Sequence, residues 1–142
     1  MAPTREQLTH TAATTLQAYE SARDAWLDKI SNIQKSDASL DEKQAQTEDA
    51  YRETEPLQGI KILRQSARRA AETYVKFEES EARHNQVAAA NAKNNMHAAR
   101  QSAPKDRIIA LDTFRLADAA RADSDHRLAA AKQLLARVNQ PW

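Results

Sequence analysis

The sequence predicts an all-α protein, an antiparallel bundle of long amphipathic helices with coiled-coil-like packing. Three observations predict it. Ala, Leu, Glu, Gln, Lys and Arg dominate the 142 residues, and all of them favour helix. Aromatic residues make up only 5%, with one Gly and four Pro, which is too sparse in strand formers and breakers for a β-rich fold. Apolar residues recur at alternating spacings of three and four, as on a heptad seam. The length suits a single helical domain that buries a core without staples.

The first helix is expected at about 4–35. Thr4 stands three residues before Gln7, the spacing of a capping box. Ala12, Leu16, Tyr19, Trp26, Ile30 and Ile33 then form the seam, interrupted by Arg23. A second, acidic helical segment is expected at about 39–54, opened by Ser39 three before Glu42. Residues 37–55 hold seven acids against two bases, with Leu40 and Tyr51 the only large apolar residues. Pro56 and Gly59 then predict a break or kink.

The third helix is expected at about 57–102, roughly 65 Å long. Its seam reads Ile60, Leu63, Ala67, Ala70, Tyr74, Phe77, Glu81, His84, Ala88 and Asn91, apolar first and polar later. The fourth is expected at about 104–138. Ser102 is its expected cap and Pro104 falls in its first turn, where Pro is tolerated. Ile108, Leu111, Phe114, Ala117, Leu128, Ala131, Leu135 and Val138 supply its face, with Arg121 and Ser124 mid-seam. So short a turn makes these two helices antiparallel neighbours, with Glu81 near Asp125 and His84 near Ala122. A competing layout runs 39–102 as one helix, half covered by the first helix and half by the fourth. Two thin hairpins of that kind want a second chain to complete their cores.

Several function classes drop out on composition. The net charge is +1, from 21 basic and 20 acidic residues, so global charge gives no pull towards nucleic acid or anionic membrane. Cys is absent, which removes disulfides and thiolate metal sites. No apolar run approaches the roughly 20 residues of a membrane span. The start lacks the pattern of a secretory signal. A cytoplasmic location is therefore expected, or export by a signal-peptide-independent secretion system. With a single Gly, no phosphate-cradling loop is present, and no nucleophile pattern occurs. No catalytic residue and no cofactor is expected.

Two patterns invite a metal reading. Glu81-x-x-His84 and Asp123-x-x-His126 each put an acid and a histidine on one helix face. Carboxylate-bridged di-iron and di-manganese bundles use such pairs. Against this, His126 lies off its seam, and Arg23 occupies the inward place where the first helix should offer a carboxylate. The preferred reading of Glu81, His84, Asn91, Asn95, Asp118, Arg121 and Asp125 is a polar layer that fixes register. The amide run Asn85, Gln86, Asn91, Asn94 and Asn95 covers more than one side of its helix and reads as an interaction face.

The basic cluster Lys61, Arg64, Arg68 and Arg69 is expected to pair with the acidic segment, within the chain or across a dimer. Trp142 is expected either to fold back as a plug or to serve as a partner anchor. At the level of composition, the chain resembles small helical components and exported helical proteins of bacterial secretion systems or phages. The expected function is thus a non-enzymatic protein–protein interaction module: an adaptor, secreted effector or structural component. Its contact residues are Asp41, Glu42, Glu48, Asp49, Asn85, Asn91, Asn94, Asn95 and Trp142, for a protein partner or a second copy. The alternative is a ferritin-like metal-binding oxidase. Amphipathic coating of a lipid surface is a weaker option, because the helices lack a Phe/Trp/Leu-rich face.

Overall fold

A computed structural model describes residues 2–142. The fold is all-α, with helices α1 (Arg5–Lys35), α2 (Leu40–Arg52), α3 (Thr54–Ala98) and α4 (Pro104–Asn139) and a 3-10 turn at Ala99–Gln101. No strand occurs among the described residues, and no helix there is long and apolar enough to cross a membrane.

The helix ends follow the capping chemistry written in the sequence. The Thr4 hydroxyl accepts from the Gln7 amide at 3.2 Å, and the Gln7 side chain accepts from the Thr4 amide at 2.9 Å. This reciprocal box satisfies two N–H groups that the helix cannot. Ser39 caps α2 by accepting from the Glu42 amide at 3.2 Å.

The break before α3 falls at Glu53, the single non-helical residue between α2 and α3. Pro56 sits in the first turn of α3, where its missing N–H forfeits no intrahelical bond. The expectation of a break at Pro56 is corrected to that extent. At the other end, Pro104 is the first residue of α4, and Ala103 takes the cap position, with its carbonyl accepting from Asp106 and Arg107. Ser102 instead closes the 3-10 turn.

The chain divides into two compact units. The first comprises residues 1–71 and 138–142, the second residues 72–137. In the first unit, α2 and the start of α3 run antiparallel to α1. Gln34 meets Thr47, Trp26 meets Tyr51, Lys29 meets Glu53 and Tyr19 meets Arg64. Leu8, Ala12, Leu16, Tyr19 and Trp26 form the buried stripe of α1, in the phase its heptads predict. Ile60, Ala67 and Ala71 face inward from α3.

The second unit is a hairpin of the remainder of α3 against α4. Its contacts Glu78–Arg127 and Asn85–Ser124 lie within one turn of the register that the connecting turn predicts. The buried stripe of α3 here is Tyr74, Glu78, Ala82, Ala89 and Ala92. The expected seam through Glu81, His84, Ala88 and Asn91 is therefore one position out of phase. His84, Ala88 and Asn91 are exposed.

Candidate functional site

The interior of the second unit carries a polar layer, as expected, but built from different residues. Glu78 is fully buried, and its Oε2 lies 3.6 Å from the Nε of Arg127. Arg127 also donates to the Ser124 hydroxyl at 3.3 Å, and Asn85 donates to the same oxygen. This chain of contacts links α3 to α4 at two successive heights. A carboxylate removed from water needs a cation and donors around it, and only one alignment of the two helices supplies them. Sliding by a heptad would put Ala120 or Leu134 in the place of Arg127, so the layer fixes register.

The expected layer residues on α4 are occupied within their own helix. Arg121 bonds Asp118 at 3.0 Å and Asp125 at 2.8 Å. Those two carboxylates, Asp118 first, hold its guanidinium pKa above the ordinary value despite some desolvation. Of the candidate metal residues, Glu81 is half-buried, while His84, Asp123 and His126 are exposed. Among the described residues, no three His, Asp or Glu side chains come together as a group that could hold a metal ion.

In the first unit, Trp26 packs edge-on to Tyr51, with ring centroids 5.1 Å apart, and to Trp142, 5.4 Å apart. Trp142, expected to fold back or to anchor a partner, lies folded back on Trp26 and stays 45% exposed. Beneath that cluster the basic residues have a structural task. Arg64 donates to the carbonyls of Val138 at 2.8 Å and Gln140 at 3.0 Å, and Arg68 donates to the Asn139 side chain at 2.9 Å. Arg64 thus satisfies carbonyls at the C-terminal end of α4, and both cations complement its negative dipole. Within the chain, Arg64 and Arg68 therefore meet residues 138–140 rather than the acidic segment.

Arg64 and Arg23 flank the buried Tyr19 ring at 5.7 and 5.6 Å. Burial alone would lower the Arg23 pKa, but Asp24 and Tyr19 hold it above the ordinary value. This explains how a cation is tolerated on the α1 seam. Beside it, Ala22, Ala25, Trp26, Pro56, Gly59 and Leu63 line an apolar groove of about 390 Å³.

The exterior carries what the interior leaves over. Asp41, Glu42, Glu48 and Asp49 are all exposed on α2. Glu48 and Asp49 each approach Arg52 at 4.0 Å, and such exposed pairs contribute little. Asp41 and Glu42 form no ion pair among the described residues. The amide run splits in two. Asn85 turns inward to Ser124, while Asn91, Asn94 and Asn95 are exposed. Asn95 lines a groove of about 290 Å³ with Ala92, Asp106, Ile109, Ala110 and Thr113.

Sequence reasoning missed two features. Glu78 lies seven residues before Asn85, and Arg127 falls opposite it in the predicted register, so the ion pair was findable by extending that register inward. The exposed apolar residues of α4, Ile108, Ile109 and Leu116 at 60%, 54% and 75% exposure, had no such signal, because α4 is apolar on several faces. No family model matches the chain, and neither a curated protein nor a solved structure shows similarity to it.

Proposed function

We propose that this chain is a non-enzymatic helical module that works through protein–protein contacts. One observation carries this reading: the division of labour between interior and exterior. Buried Glu78 and Ser124 are engaged in contacts between α3 and α4, while Asp41, Glu42, Asn91, Asn94, Asn95 and the large apolar Leu40 and Leu116 stand outside. Leu40 is 81% exposed at the start of the acidic α2, and Ile108, Ile109 and Leu116 stand out from α4. Contiguous apolar residues rimmed by charge are the usual mark of a protein-binding surface. An adaptor, a secreted effector or a component of a larger assembly would each use such faces.

The test is co-purification of the untagged chain from its native host, read by mass spectrometry. A stoichiometric partner is expected, either another protein in the mass spectrum or a second copy of the chain seen as a doubled mass by light scattering. Two variants locate the contact: Asp41→Lys with Glu42→Lys on α2, and Asn91→Ala with Asn94→Ala and Asn95→Ala on the amide face. At least one should lose the partner with helix content unchanged by circular dichroism. Full retention by both would refute the assignment of these faces.

A further inference from the structure

We infer that the partner of these surfaces is a second copy of the same chain, docked so that α2 of each copy lies on the start of α4 of the other. The inference rests on the interaction-module reading and names its partner. Pro104, Arg107, Ile108 and Leu111 line a groove of about 360 Å³ at the start of α4. Its apolar wall is open to water, with Ile108 60% exposed. Such a groove wants an apolar knob with negative charge around it, to meet both Ile108 and Arg107.

The chain carries that knob itself. Leu40 is 81% exposed, and Asp37 and Asp41 lie close on either side in sequence. The charges of the two segments are opposite. Residues 37–55 hold seven acids and two bases, a net of −5. Residues 93–115 hold five bases (Lys93, Arg100, Lys105, Arg107 and Arg115) and two acids, a net of +3. Part of this charge remains available for an outside partner. Among the described residues Asp37, Asp41, Glu42, Lys105, Arg107 and Arg115 form no ion pair within the chain.

Two complementary patches on one chain favour a two-fold pair, in which both contacts are made at once and each copy gives what it receives. Burial of Leu40 and Ile108 supplies the attraction. The charges set orientation and association rate, since exposed ion pairs alone contribute little.

The second unit shows the same need for cover. Beside Tyr74, Val75 and Glu78 its buried side chains are small, Ala82, Ala89, Ala92, Ser124 and Ala131, while Leu111 and Phe114 remain half-exposed. A two-helix layer cannot enclose large apolar side chains without a further layer.

Charge exchange tests the pairing. The full-length chain is followed by light scattering at about 100 µM in low salt of roughly 50 mM, where screening is weak. A mass near 32 kDa is expected, twice the 15.9 kDa of one chain. Asp41→Lys with Glu42→Lys should weaken self-association at least about tenfold, and so should Lys105→Glu with Arg107→Glu. Mixing the two variants should restore the pair. The reversed α2 then meets the reversed α4, and the two unaltered surfaces meet each other. Recovery on mixing also shows that both variants are folded.

A wild-type chain that stays at 15.9 kDa, a pair indifferent to both variants, or a mixture that stays monomeric would overturn the inference. A monomer that still captures a host protein would do so while leaving the module reading intact. A monomer that captures no host protein would sink the module reading with it.

Discussion

Arg64 ties the C-terminal segment to the first unit, and removing it should loosen that segment before anything else. Its guanidinium spans two carbonyls, Val138 and Gln140, and lies over the Tyr19 ring. A hydrogen bond from a charged donor contributes about 1.5–3 kcal/mol where it is shielded, and less at an exposed site. The Val138 bond is part-buried and the Gln140 bond exposed, so together they are worth about 2–3 kcal/mol. The cation over Tyr19 adds about 0.5–1 kcal/mol.

Arg64→Ala should therefore cost about 3 kcal/mol. With a urea m-value of about 2 kcal/mol/M for a chain of this size, the midpoint should fall by about 1.5 M. Arg64→Lys keeps the charge but cannot span two acceptors with one fork, and should lose about half as much. The companion readout is near-ultraviolet circular dichroism, which reports the fixed edge-on Trp26–Trp142 pair. Arg64→Ala should diminish that signal even without urea. A midpoint shift below about 0.3 M, or an undiminished aromatic signal, would refute the reasoning.

Three further outcomes follow from particular residues. Gly59 sits inside α3, and a Cβ there would meet no atom within 4 Å. Gly59→Ala should thus stabilise the chain by about 0.5–1 kcal/mol, and a lowered urea midpoint would contradict it. Arg127→Ala withdraws the cross-helix cation of the buried Glu78 carboxylate and should cost about 3 kcal/mol, whereas Glu78→Leu combined with Arg127→Leu should recover most of that loss. A double variant no more stable than Arg127→Ala alone would show that the ion pair itself is net stabilising. Raising salt from about 50 to 500 mM should weaken the self-association without lowering helix content, because the paired surfaces are exposed and screenable. A salt-independent mass would point to contacts that charge does not orient.

Much of the fold was legible, and the limits of legibility are physical. Between Ala12 and Trp26 the large apolar residues of α1 all fall at heptad positions, Arg23 is the one interruption, and only alanines and polar residues lie elsewhere, so only one phase is consistent. The acid-rich α2 was legible through Ser39 and its composition. In the second half of α3, alanines fall at several heptad phases, at 82, 88, 89, 90, 92 and 98, and carry no amphipathic signal. There the true stripe runs through Glu78 and Asn85, two residues that hydropathy assigns to the surface. They are buried because Arg127 and Ser124 on another helix compensate them, and no local pattern encodes that.

A change of partner adds to the phase error. α3 packs within the first unit as far as Ala71 and within the second from Glu72, so one extrapolated heptad cannot describe both stretches. An ideal helix also drifts by about 20° per heptad. The amide face was half legible. Asn91, Asn94 and Asn95 are exposed as expected, and Asn85 is drawn inward by Ser124.

The most direct test of the account is amide hydrogen exchange followed against protein concentration. Exposed helix ends open locally and exchange fast unless something covers them. If two copies pair as inferred, protection at 40–52 and at 104–115 should rise together over one concentration range, with the helix interiors unchanged. Exchange at both segments that is independent of concentration, or protection that rises at one and not the other, would contradict it.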